Sequence, residues 1–116
     1  MNVSIVEQDN YLVAWINSSL TDSELLTLQT SILKCVQKVK PKGVIINAKG
    51  LDVIDSFATR IFGDISDTLK QHGVPMAIVG IKPEILFTMS LFGIHINKFE
   101  VSHDMEEGMQ KLNSIL

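Results

Sequence analysis

One run of the sequence restricts the fold more than any other, the five residues from Val44 to Ala48. The run shows no alternation of apolar and polar residues, which is typical of a strand covered on both faces of a sheet. Val74 to Val79 repeats this pattern. Between the two runs, apolar residues recur at helical spacing: Phe57, Ala58, Ile61, Phe62, Ile65 and Leu69. Two buried strands joined by a helix predict a right-handed β-α-β unit with parallel strands.

The residues before this unit predict a hairpin and a helix. Apolar residues alternate with polar ones at the start of the chain, Asp9-Asn10 forms a turn, and Tyr11 to Ile16 supplies a second apolar run. Thr21 and Glu24 then match the capping-box pattern, in which each side chain accepts the backbone N–H of the other residue. We therefore predict that the first helix runs from about Asp22 to Val39.

The residues after the unit predict two further helices and a short strand. Pro83 suits the first position of a helix, Gly93 suits a left-handed C-terminal cap, and Ile94 would fold back on the last turn. Phe99 to Val101 could form an edge strand, and Asp104 would cap the final helix. The predicted inward residues are Ile85, Leu86, Met89 and Phe92 of one helix and Met105, Met109, Leu112 and Leu116 of the other. The fold class is therefore α/β, a mixed sheet of four to five strands with about four helices, in one domain spanning residues 1–116.

Composition excludes several classes of protein. The net charge of −3 and the scattered arrangement of ten Lys and Arg residues argue against binding nucleic acid. No apolar run approaches the roughly 20 residues that a membrane-spanning helix needs. Cys35 is the single cysteine, which excludes an internal disulfide and fits a reducing compartment. We expect a soluble cytoplasmic protein.

Motifs for catalysis or cofactor binding are absent from the sequence. There is no Gly-x-Gly-x-x-Gly, Walker-type loop, Cys-x-x-Cys or His-Glu-x-x-His, and His72, His95 and His103 lie in predicted turns without the spacing of metal ligands. The acidic pair Asp52 and Asp55 could be a cation or acid–base site. Asp is common in strand-to-helix loops, however, and no partner residues converge on the pair. We predict a non-catalytic protein without metal or cofactor.

Ser56 is the residue with the most informative position. It stands immediately before the first apolar residue of the central helix, so we predict that its hydroxyl is the N-cap of that helix. A phosphoryl group would also be tolerated there, because unpaired N–H groups and the positive end of the helix dipole point at it. A plain cap and a phosphorylation site therefore share one signature, and position alone favours the plain cap.

A resemblance to a known family changes that balance. Together with the order of elements, three segments resemble the STAS domain, the anti-sigma-factor-antagonist family, over essentially the whole chain: Asp55-Ser56-Phe57, Gly80-Ile81-Lys82-Pro83 and Leu91-Phe92-Gly93-Ile94. Direct antagonists in this family have Asp-Ser-Ser-Gly-Leu-Gly at the junction, whereas this chain has Asp-Ser-Phe-Ala-Thr-Arg from Asp55 to Arg60. That departure favours the branch of small single-domain stressosome scaffolds.

The resemblance implies a function in partner switching. In that branch a partner serine kinase phosphorylates the serine at this junction, and Ser56 is the matching residue. Thr59 is a second candidate acceptor. The implied partners are a serine/threonine kinase of the anti-sigma-factor type and STAS-domain sensor paralogues in a large hetero-oligomer, with self-association left open. We expect the kinase to dock on the outward side of the central helix and on the turn beside it, through Asp55, Thr59, Arg60, Gly63, Ile81, Lys82 and Pro83.

Other functions remain open at this point. The chain could be a direct anti-sigma factor antagonist, or a STAS subunit of a lipid-transport ATPase complex. A small enzyme is disfavoured, because the sequence offers no nucleophile–base pair or metal cluster. Trp15 is expected to pack on the sheet, and it would indicate partner binding if it were exposed.

Overall fold

The fold is a mixed five-stranded sheet with four helices, as seen in a computed structural model that describes residues 3–93 and 99–115. The strands lie in the order β1-β2-β3-β4-β5; β1 pairs antiparallel with β2, and all other neighbours are parallel. This confirms the predicted fold class and the parallel pairing of the two buried strands. The elements are β1 (Val3–Gln8), β2 (Tyr11–Ile16), α1 (Asp22–Val39), β3 (Val44–Asn47), α2 (Ser56–Gln71), β4 (Met76–Val79), α3 (Pro83–Leu91), β5 (Glu100–Ser102) and α4 (Met105–Ile115).

Both faces of the central strands β3 and β4 are covered, which explains the strand runs without alternation. Successive residues of a strand point to opposite faces, so Ile45 packs in the cluster that includes Leu112 of α4, while Ile46 packs among residues of α1, α2 and α3. Both isoleucines are fully buried. Apolar residues at consecutive positions are therefore required, because neither face of β3 meets water.

Helix α4 approaches the sheet closely through a glycine. A Cβ atom added to Gly108 would lie 2.6 Å from Val79 Cγ1, so a larger residue here would push the helix away from β4. The Tyr11 hydroxyl donates a hydrogen bond to the carbonyl oxygen of Met109 at 3.3 Å, which ties α4 to β2. The glycine that weakens this helix in isolation therefore allows it to pack.

Most predicted boundaries agree with the structure. The reciprocal capping box of α1 is present, with the Glu24 N–H 3.1 Å from Thr21 Oγ1 and the Thr21 N–H 3.0 Å from Glu24 Oε1. Asp104 caps α4 by accepting the N–H of Glu107 at 2.9 Å. The edge strand begins at Glu100, one residue later than predicted.

One of the predictions for the end of α3 is wrong. Gly93 has φ +87°, which confirms the left-handed conformation expected after the helix. Phe92, however, was predicted to be buried and is 47% exposed. Helix α3 is short and its apolar residues are not confined to one side, so it has more large apolar residues than one contact with the core can cover. The predictions for Ile94, His95 and Leu116 lie outside the described residues.

Candidate functional site

The candidate site lies where β3 leads into α2. The connecting loop is held at Leu51, which is 3% exposed and donates its N–H to the Ala48 carbonyl at 3.0 Å. Val53, two residues later, is 66% exposed. The loop is therefore anchored near the sheet and emerges at the surface before the helix begins.

Asp55, not Ser56, caps α2. Asp55 has extended dihedral angles, φ −116° and ψ −177°, and its Oδ1 accepts the N–H of Ala58 at 2.8 Å. Ser56 is the first helical residue. The predicted cap was wrong by one residue, because Asp and Ser are about equally good caps and adjacent candidates cannot be separated by residue type.

Because Asp55 is the N-cap, the Ser56 hydroxyl has no capping role. Ser56 is exposed, as predicted, and its hydroxyl has no hydrogen-bond partner within residues 3–93 and 99–115. The carboxylate of Asp55 already supplies the side-chain cap of the helix, by accepting the N–H of Ala58. A nucleophilic acceptor at this position can therefore be modified without removing the cap.

Thr59 and Gly63 were predicted to lie on the outward side of α2, and the structure shows that they are buried. Thr59 is 2% exposed, and its hydroxyl donates a hydrogen bond to the carbonyl oxygen of Asp55 at 2.8 Å. The buried face of α2 includes eight of its sixteen residues and is wider than the apolar pattern indicates. The structure thus gives Thr59 a role in holding the helix start and keeps its hydroxyl from the surface.

A shallow groove runs beside the first turns of α2. Its volume is about 250 Å³. Ser56, Arg60 and Asp64 are its exposed residues on α2, and Thr59 and Gly63 lie beneath them. The other described lining residues are Phe92 and Gly93, from the end of α3. Phe92 was not predicted to lie at this site, and the excess of apolar residues in α3 is the signal that could have indicated it.

The turn before α3 is joined to the loop before α2, as expected, but faces a second groove. The Lys82 ammonium pairs with the carboxylate of Asp52 and donates to the Leu51 carbonyl at 3.3 Å. Ile81, Lys82 and Pro83 line a groove of about 800 Å³ that extends towards α4, together with the partly exposed Trp15. Asp55 lines neither groove. Apart from Asp55, the residues predicted for kinase docking therefore divide between two separate grooves.

The acidic pair has structural partners. Asp52 forms an ion pair with Lys82, and Asp55 caps α2. In the part of the chain that the structure describes, no three His, Cys, Asp or Glu side chains are grouped closely enough to hold a metal ion. Within the same ranges, no helix has the length and apolar character needed to cross a membrane. What the arrangement offers is an exposed hydroxyl, without a hydrogen-bond partner among the described residues, beside a groove.

Comparisons with known proteins agree with the fold. The family model of the STAS domain matches residues 2–107, so this chain belongs to the STAS domain family. The chain is similar to RsbS of Moorella thermoacetica, in a variant with one serine replaced by glutamate, with 27% identity and a TM-score of 0.88 over 99% of this chain and 97% of that one. A stressosome structure, described as a signal integration and transduction hub, has 25% identity and a TM-score of 0.79, covering 97% of each chain.

A more distant structure shares the fold alone. An anti-sigma factor antagonist from Mycobacterium paratuberculosis has 14% identity and a TM-score of 0.79, covering 96% of this chain and 92% of that one. The similarity in sequence is thus greater to the two structures named for RsbS and the stressosome.

Proposed function

We propose that this chain is a cytoplasmic scaffold of a stressosome-type partner-switching complex. In this proposal a serine kinase docks beside α2, transfers the γ-phosphoryl group of ATP to Ser56 Oγ with release of the hydroxyl proton and ADP, and then dissociates. The observation that carries the proposal is the exposed Ser56 hydroxyl, which the helix does not need because Asp55 supplies the cap.

Burial favours Ser56 over the other hydroxyl groups of α2. Thr59 is 2% exposed and Ser66 is fully buried, so neither oxygen can reach the active site of a kinase without unfolding of the helix. Thr68 lies three turns further along, away from the groove. Exposure and position together make Ser56 the best acceptor on this helix.

The helix start can carry a phosphate. The N–H groups of Ser56 and Phe57 lie in the first turn, where a helix provides no acceptors, and the positive end of the helix dipole favours an anion. Phosphate adds about −1.5 to −2 charges at neutral pH. The fold should therefore survive phosphorylation while the docking surface becomes strongly negative.

The added charge explains how the kinase would be released. Asp55 and Asp64 already place negative charge on this part of the surface, whereas Asp52 is paired with Lys82. A phosphate beside them would repel a partner that had docked over the neutral serine, and its desolvation would cost further binding energy. The RsbS relative carries glutamate in place of one serine, a substitution that adds negative charge as phosphate does.

Phosphate transfer to Ser56 is tested by incubating the protein with a candidate kinase, ATP and magnesium, followed by mass spectrometry of peptides. We expect one phosphate on Ser56, and none on Ser56→Ala. Thr59→Val is the matched control, and it should be phosphorylated like the wild type because Thr59 is buried. Phosphate found on Thr59 or Ser66 instead would refute the assignment. A transport ATPase recovered in place of a kinase would favour the transport-subunit alternative.

A further inference from the structure

Arg60 is the single arginine of the chain, and it lies one helical turn after Ser56. The other nine basic residues are lysines, since Lys and Arg together number ten. Residues four apart on a helix lie on the same face, with their Cβ atoms about 5–6 Å apart. Ser56 and Arg60 are both exposed and line the same groove.

Among the residues that the structure describes, no group engages the guanidinium of Arg60. It has no ion pair or hydrogen bond with a described residue, although Asp64 follows it by one turn in the same groove. By contrast, Lys82 and Lys111 are each held by a carboxylate. Arg60 therefore presents a free cation beside the acceptor hydroxyl.

The order and the chemistry of the two residues suit a phosphate. An anion placed four residues before a cation is the favoured orientation for pairs within a helix. A guanidinium offers parallel N–H donors that match two oxygens of a phosphate, whereas a lysine ammonium acts as a point charge. A phosphate on Ser56 would also be a stronger competitor for Arg60 than the single charge of Asp64.

We infer that Arg60 is the internal partner of phosphorylated Ser56. The inference rests on the proposed function and adds a second step to it. In the unmodified protein, Arg60 is available to an acidic group of the docked kinase. After phosphate transfer, the guanidinium pairs with the phosphate of its own helix and is withdrawn from the kinase. Release then follows from a lost attraction as well as from added repulsion.

The pairing can be tested without any kinase. Phosphoserine is incorporated at position 56 during translation of the full chain, and the phosphate is titrated by ³¹P NMR. A nearby cation stabilises the dianion, so Arg60→Gln should raise the second pKa of the phosphate by roughly 0.3 pH units or more relative to the unsubstituted phosphoprotein. Arg60→Lys should restore part of the difference, because it keeps the charge and loses the paired donors.

Two comparisons decide whether the effect is specific. Lys70→Gln removes one positive charge from an exposed residue of the same helix, and it should leave the phosphate pKa unchanged. Because the chain has one arginine, its side-chain Nε–H gives a single signal in a ¹⁵N spectrum, and this signal should shift on phosphorylation with the same pH midpoint as the phosphate.

Equal phosphate pKa values with and without Arg60, or an equal effect of Lys70→Gln, would overturn the inference. An Arg60 Nε–H signal that does not shift on phosphorylation would also overturn the inference. Since the phosphate is introduced during translation and not by a kinase, these results stand even if no kinase is found to act on Ser56. Failure of the kinase assay would refute the proposed function, and failure of the titration would refute the role of Arg60.

Discussion

The starts of α1 and α2 are capped by different groups, a hydroxyl at α1 and a carboxylate at α2. At α1, the Thr21 hydroxyl accepts the N–H of Glu24, and the Glu24 carboxylate accepts the N–H of Thr21 in return. At α2, the Asp55 carboxylate accepts the N–H of Ala58, and the hydroxyl of the next residue, Ser56, takes no part. The hydroxyl at α1 is thus committed to the fold, whereas the hydroxyl at α2 is exposed and free of the described residues.

This difference shows how a helix start can carry a regulatory group. A capping hydroxyl that becomes phosphorylated has to change its hydrogen bonds, so its modification is coupled to helix stability. A hydroxyl one residue after a carboxylate cap avoids that coupling. Ser56 can therefore change the charge of the surface while Asp55 keeps the helix in place.

The largest effect should appear in kinase retention by variants at the two helix starts. Ser56→Ala leaves the surface uncharged and should keep the kinase bound, whereas Ser56→Asp should weaken binding about tenfold through repulsion. Thr21→Asp is the control, since it places the same charge at α1 and aspartate is a good cap. Pull-down assays with titrated kinase measure the difference. Equal retention by both Ser56 variants would exclude release by charge.

Stability should separate the two residues of the α2 junction. Asp55→Ala removes the cap and should cost about 1 kcal/mol of the free energy of unfolding, as should Thr21→Ala at α1. Ser56→Ala should change it by no more than a few tenths of a kcal/mol, because its hydroxyl is not a cap. Urea unfolding followed by circular dichroism tests this. A loss from Ser56→Ala as large as that from Asp55→Ala would restore Ser56 as the cap.

Reversal of charge in the groove should weaken kinase capture without affecting the fold. Arg60→Glu replaces the free cation beside Ser56 and should reduce affinity about fivefold, close to 1 kcal/mol. Lys34→Glu makes the same change on an exposed part of α1 and should have little effect. Isothermal titration of unphosphorylated protein measures both variants. If Arg60→Glu lowers the melting temperature as well as the affinity, the weaker binding results from a folding defect.

A smaller effect is expected at Thr59. Thr59→Val keeps the side-chain volume and removes the hydroxyl that donates to the Asp55 carbonyl, which still accepts the Thr59 N–H at 3.0 Å. The loss should be about 0.5–1 kcal/mol, the net value of one hydrogen bond. Thermal unfolding measures it. A loss above about 3 kcal/mol would mean that the valine disturbs the packing of the helix as well.

The smallest effect should come from the ion pair that joins the two loops. The side chains of Lys82 and Asp52 are 39% and 75% exposed, so water and salt screen the pair. Lys82→Gln should lower the free energy of unfolding by at most a few tenths of a kcal/mol. Lys111→Gln, at a pair with Glu107 within α4, is the matched comparison. A loss near 2 kcal/mol from Lys82→Gln would show that the pair organises the loop before α2.

Features that depend on neighbouring residues were predictable from the sequence. The start of α1 follows from Thr21 and Glu24, whose hydrogen bonds span three residues, and the buried strands follow from apolar runs such as Val44 to Asn47. The exposure of Ser56 also followed from its place at a strand-to-helix junction. These are local signals, because each is read from residues within one turn, one strand or one junction.

Features that depend on contacts between distant segments were decided by the tertiary structure. Thr59 is buried because the inner face of α2 is wide, and Phe92 is exposed because α3 has more apolar surface than the sheet covers. The groove of Ser56 and Arg60 exists because the end of α3 lies beside the start of α2. The sequence determined which residues form each helix and strand, since the apolar patterns and capping residues that indicate an element lie within or beside it. Which surface each residue faces was decided by packing, since that depends on segments separated along the chain by roughly 30 residues.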